Sequence, residues 1–127
     1  MHVWKQVLLL FVILCSLHAA EWRWANDTLE PTDDKQVHAV GSFGLYYMLV
    51  NKNIESKKAV IIVYNLGLTK ECMDALLPWE RYGKMGGDGF STNDMLYNML
   101  GITIAYATDS VWKVSYANNM INISFPL

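Results

Sequence analysis

Three helix-length apolar segments of this chain each carry a charged signature at one end, and that pattern constrains the fold more than any other feature. The signatures are Asp34-Lys35-Gln36-Val37-His38, then Lys70-Glu71-Cys72-Met73-Asp74, then Ser91-Thr92-Asn93-Asp94 followed by Asn98 and Gly101. A charge taken out of water without a partner is costly, so packing these segments side by side favours gathering their ionisable ends at one end of the bundle. The expected fold is therefore mainly α: a small three-helix bundle with a polar cluster at one end.

Composition narrows the setting. Of the 127 residues, 53% are hydrophobic and 17% charged, against about 25% charged in ordinary soluble domains. The balance leans toward membrane or envelope proteins, and the length allows one modest core. Net charge is −2 with no run of Lys or Arg, which removes the electrostatic footprint of a nucleic-acid binder.

Residues 1–20 have the grammar of an export signal: Lys5 in a basic start, an apolar run from Val7 to Leu17, and small residues Ala19 and Ala20. The segment is read either as a signal peptide cleaved after Ala20 or as an uncleaved membrane anchor. Leu14 ahead of Cys15 is too large for a lipidation signal. The expected location is the cell envelope, with the chain exported and periplasmic or membrane-associated. Removal of the signal leaves Cys72 as the sole cysteine, so no intramolecular disulfide is expected and packing must supply stability.

Residues 21–33 read as a linker, with Trp22 and Trp24 either at a membrane interface or packed on a helix start. Thr32 or Asp33 caps a first helix over about 34–50, whose acidic start suits the positive end of the macrodipole. A second helix is expected over about 57–77. Its β-branched opening, Val60 to Val63, also suits a strand, and length favours the helix. Gly83, Gly86, Gly87 and Gly89 make residues 78–90 a loop of turns with positive backbone angles. Ser91 and Asp94 resemble a capping box opening a third helix to about residue 108, so the helical domain covers 34–108. In the tail, 109–127, the period changes to alternation on either side of Ala117-Asn118-Asn119-Met120, which predicts a β-hairpin docked on the helices.

Asp34, His38 and Ser42 recur at intervals of four and share one helix face. Gly67, Glu71 and Asp74 share another, and Asp94, Asn98, Gly101 and Ala105 form a third, small enough for close helix approach. With successive helices antiparallel, one end collects Asp34, Lys35, His38, Lys70, Glu71, Asp74, Asp94 and Asn98. The other end carries Lys52, Lys57 and Lys58. Were the N-terminal segment an anchor, the lysine-rich loop would face the cytoplasm and the polar cluster outward.

The ordered set Asp34-Lys35-x-x-His38 with Ser42, Lys70-Glu71-x-x-Asp74, and Gly89-Phe90-Ser91-x-x-Asp94-x-x-x-Asn98-x-x-Gly101 resembles the YfiM-like envelope proteins and, more distantly, the VanZ-like membrane family, over about residues 33–106. The resemblance implies a small helical envelope protein without an established biochemical activity.

The binding set expected from these motifs is Asp34, Lys35, His38, Ser42, Lys70, Glu71, Asp74, Ser91, Asp94 and Asn98. His38 beside Asp34 is the natural general base, with Glu71 or Asp94 as partner acid, which makes His38, Glu71 and Asp94 the catalytic candidates. The same groups equally form a buried network that locks helices together. His38, Glu71, Asp74 and Asp94 offer nitrogen and oxygen donors, but no two histidines lie close, so no metal and no cofactor are expected. Apolar runs of about 10 to 15 residues fall short of the roughly 20 that span a bilayer, favouring a soluble or peripheral domain. Two functions stand: a binding or structural protein with a membrane or envelope component as partner, or an enzyme acting on a lipid-linked or cell-wall substrate.

Overall fold

The structure, a computed structural model, describes residues 2–17 and 22–125. Helix α1 covers His2–Leu17, α2 Asp33–Asn51, α3 Ser56–Leu76, α4 Trp79–Tyr82 and α5 Thr92–Val111, and strands β1 and β2 cover Lys113–Ala117 and Met120–Ser124. The mainly helical fold with a C-terminal hairpin is the one expected from the segment pattern. The cleavage position after Ala20 and the side chain of Cys15 lie outside the described residues. Among the described residues no helix is long and apolar enough to cross a membrane.

Helix ends have local causes. Thr32 occupies the N-cap of α2 with extended backbone, yet its side chain makes no capping bond, and Asp33 and Asp34 in the first turn supply the negative charge instead. At the other end Asn53 adopts φ 63°, and its N–H and that of Ile54 return to the carbonyls of Val50 and Leu49. This is a Schellman stop, with Asn as the residue that tolerates the left-handed conformation. The β-branched stretch after Ala59 is helical, since tertiary packing of one face outweighs a small propensity deficit.

The 78–90 segment is more ordered than its glycines suggest, holding α4 and a 3-10 turn at Gly83–Met85. Positive φ occurs at Gly83 and Gly89. Gly86 and Gly87 serve close approach: a Cβ on Gly86 would sit 2.6 Å from Trp79 Cα, and one on Gly87 would collide with the Asp74 carboxyl group.

The chain divides into two compact units, Thr28–Thr69 with Thr92–Leu127, and Met1–Asp27 with Lys70–Ser91. In the first, α2 packs most extensively on α5, and Tyr46, Tyr47, Ala59, Val63, Ile102 and Ala105 form the buried core. The hairpin pairs Ala117 with Met120 across Asn118 and Asn119, both at positive φ, as a type I′ turn requires. β1 contacts α2 and α5, whereas β2 is exposed along its whole length. In the second unit, residues expected to be a linker are anchored: Arg23 and Ala25 donate backbone N–H groups to Ala75 and Phe90. Trp22, Trp24 and Phe90 stack there with ring centroids 5.4 to 5.9 Å apart.

Candidate functional site

Contacts between α2 and α5 advance together along both helices, from Lys35 with Asp94, through His38 and Ser42 with Asn98, to Tyr46 with Asp109. The two helices are therefore parallel. α3 runs against them, with Ser56 at the level of Asp109 and Gly67 at the level of Asn98. This is the up-down-up order of successive antiparallel helices. Gly101 permits the close approach, since a Cβ there would strike the backbone of Ala39.

Four-residue spacing on α2 stacks Asp34, His38 and Ser42 over successive turns, and Lys35 lies beside them. Lys35 Nζ is 3.5 Å from Asp94 Oδ1, both side chains being buried. The other oxygen, Oδ2, faces His38 Nε2 at 3.5 Å, and Asp34 Oδ1 lies 4.0 Å from the same nitrogen. Asn98 Oδ1 receives hydrogen bonds from His38 Nδ1–H at 3.1 Å and from Ser42 Oγ–H at 2.9 Å. Because a carboxamide oxygen only accepts, it assigns a proton to Nδ1 and turns Nε2 toward the carboxylates. Gly67 presses on the carboxamide from the other side: a Cβ there would be 2.6 Å from Asn98 Nδ2.

The remaining expected site residues, Lys70, Glu71, Asp74 and Ser91, gather in the other unit. Glu71 is fully buried, and its Oε2 accepts the backbone N–H of Ser91 at 2.9 Å. Lys70 pairs with Glu71 at 3.5 Å and with Asp74 one turn on. The Ser91 hydroxyl donates to Asp27 at 2.7 Å, and Arg23 donates to the Gly87 carbonyl at 2.8 Å. Six of the ten expected residues thus assemble around His38 and four around Glu71. Asp27 and Arg23 joined the second group without any sequence signal beyond being charged residues in a stretch with no helical or strand period.

A third polar knot was missed by sequence reasoning. Asp109 Oδ2 accepts from Tyr46 Oη at 2.9 Å and Ser56 Oγ at 2.8 Å, while Lys113 Nζ lies 3.2 Å from Oδ1. Burial pushes the Tyr46 phenol up to about 12, helped by the Asp109 carboxylate. Burial opposes ionisation of Asp109, but the bonds from Ser56, Tyr46 and Lys113 outweigh it and hold the carboxyl below the usual range. An available signal was an acidic residue in the last turn of a helix, where the macrodipole is unfavourable and only specific donors make it tolerable.

Around His38 the donor atoms of Asp34, His38 and Asp94 all lie within 4.8 Å of one another. One imidazole nitrogen and two carboxylate oxygens at that spacing can share a cation or exchange a proton. No family model, curated protein or solved structure matches the chain.

Proposed function

We propose that this is an exported, peripherally membrane-associated protein of the cell envelope whose buried network around His38 has a binding or structural role. The observation that carries the reading is the interlocking of five buried or nearly buried groups: Lys35, Asp94, His38, Asn98 and Ser42 are joined pair by pair across α2 and α5. Such a set fixes the register of two helices, a use of buried polar groups that specifies one arrangement rather than adding much stability. Its motifs are those of the YfiM-like resemblance, which supports the envelope assignment.

Association with a lipid surface is supported by large apolar side chains left exposed on the helices, among them Val37 and Val40 on α2, Ile61 and Leu66 on α3, and Leu96 and Met99 on α5. β2 adds Ile121, Ile123 and, just beyond it, Phe125. Exposed apolar surface in this quantity calls for a partner. The alternative, an enzyme acting on a lipid-linked or cell-wall substrate, draws support from Asp34, whose carboxylate is 66% exposed yet reaches within 4.0 Å of His38 Nε2.

Fractionation of cells producing the native chain tests the location: recovery in periplasmic or carbonate-extractable membrane fractions is expected, and recovery in the cytosol overturns it. His38→Gln separates the two functions. A structural network predicts a clear fall in Tm, whereas an enzyme predicts an unchanged Tm with loss of phenotype.

A further inference from the structure

We propose that Asp34, His38 and Asp94 form a site for a divalent first-row transition-metal ion such as Zn2+. The inference deepens the binding reading of this network and rests on it. Its starting point is the orientation of His38. Asn98 Oδ1 takes the Nδ1 proton of His38, and the Ser42 hydroxyl donates to the same oxygen and fixes which way the carboxamide faces. Nε2 then faces Asp94 Oδ2 at 3.5 Å and Asp34 Oδ1 at 4.0 Å. With Nε2 unprotonated, one nitrogen and two carboxylate oxygens are turned toward one point, a donor set that a shared cation stabilises. A proton on Nε2 supplies part of that stabilisation, and a metal ion supplies all of it by turning three lone pairs into three bonds.

The geometry suits such an ion. Metal–ligand bonds of about 2.0 to 2.2 Å in a tetrahedral site place neighbouring donor atoms about 3.4 Å apart. The two separations from His38, 3.5 and 4.0 Å, come close to this and the third lies within 4.8 Å; the longer histidine separation involves Asp34, whose exposed side chain is able to swing inward and also opens the path from solvent. Asp94 is divided between tasks, with Oδ1 held 3.5 Å from Lys35 and Oδ2 turned to the histidine. The support behind the ligands is of the kind metal sites use: a ligating histidine whose second ring nitrogen donates to a protein oxygen. Three protein donors leave one tetrahedral position for water or an oxygen ligand. The first signature alone supplies Asp34 and His38 at helical spacing, and the parallel packing of α5 adds the third donor.

The test uses the full chain without a histidine tag, stripped with chelator and titrated with ZnCl2 by calorimetry, with thermal melts in parallel. One equivalent of Zn2+ bound with a raised Tm is expected. Asp34→Asn should weaken binding about tenfold or more and remove most of the rise in Tm that Zn2+ produces, and Asn98→Ala should weaken it about 10- to 100-fold through the lost support of His38. No uptake at millimolar Zn2+, or equal uptake by wild type, Asp34→Asn and His38→Gln, overturns the site. The two readings fail separately. No uptake together with a destabilised His38→Gln sinks the metal site and leaves the structural network, whereas no uptake with an unchanged Tm sinks both.

Discussion

The carboxamide oxygen of Asn98 accepts from His38 Nδ1 and from Ser42 Oγ, at 3.1 and 2.9 Å, so one side chain of α5 ties down two successive turns of α2. Removing it strands two donors, the buried Ser42 hydroxyl and the part-buried ring of His38. Asn98→Ala should therefore cost about 2 to 4 kcal/mol. Ser42→Ala should cost markedly less in that background than in the wild type, because its acceptor is already gone. Denaturant titration of the four proteins of the cycle measures both effects; additive losses would show that the shared oxygen does not couple the two turns.

Lys35 and Asp94 are both buried, 3.5 Å apart. A buried pair adds little net stability, but deleting one member leaves a charge in a medium that solvates it poorly. Lys35→Ala is expected to destabilise the protein by about 3 to 5 kcal/mol, and the double substitution Lys35→Met with Asp94→Leu to recover part of that loss. Chemical denaturation of the single and double variants distinguishes this from a surface pair, for which Lys35→Ala would cost under about 1 kcal/mol.

Much of this arrangement is legible in the sequence because the signals were local. Four-residue spacing put Asp34, His38 and Ser42 on one face, and length favoured a helix where Val60 to Val63 also suited a strand. The Asn118-Asn119 turn fixed the hairpin register. What was not legible depends on chain segments far apart in sequence. The charged signatures looked like one cluster, yet Lys70, Glu71, Asp74 and Ser91 belong with Asp27 and Arg23 in a separate unit from His38. No periodicity distinguishes which carboxylate a buried lysine will meet. The Asp109 knot escaped for the same reason: nothing local to Tyr46 or Ser56 points to the acid that α5 brings alongside them. The alternating tail was expected to dock on the helices, and β1 does contact α2 and α5, but all five residues of β2 are exposed.

Gly67 and Gly41 make a controlled comparison. A Cβ on Gly67 would lie 2.6 Å from Asn98 Nδ2 and 3.2 Å from its Cγ, whereas one on Gly41 would meet nothing within 4 Å. Both are interior helical positions where alanine is favoured over glycine by about 1 kcal/mol. Gly41→Ala should stabilise by roughly that amount. Gly67→Ala should instead destabilise by about 1 to 3 kcal/mol, because the buried carboxamide must move and disturb its bonds to His38 and Ser42. Thermal melts give the sign of each change, and the histidine NMR signal of His38 should move in Gly67→Ala but not in Gly41→Ala. A stabilised Gly67→Ala would mean that Asn98 is free to shift.

Asp109 and Tyr46 give the stability of the α2–α5 unit a defined dependence on pH at both extremes. The Asp109 carboxyl is held below its ordinary value, so the folded protein binds fewer protons there than the unfolded chain; this contribution is present above about pH 4 and is lost as pH falls through the lowered folded value. Tyr46 shifts the other way, to about 12 in the fold, so its contribution is complete below about pH 10 and disappears as pH rises toward that value. Asp109→Asn should flatten the acid limb of a stability-versus-pH curve and lower the plateau at neutral pH, because Tyr46, Ser56 and Lys113 lose a charged acceptor. Tyr46→Phe should remove the fall between about pH 10 and 12 and leave most of the acid limb in place, since Ser56 and Lys113 still hold the carboxylate. Urea midpoints measured from pH 2 to 12 on the three proteins test this directly, and an unaltered acid limb in Asp109→Asn would assign acid sensitivity to other carboxylates.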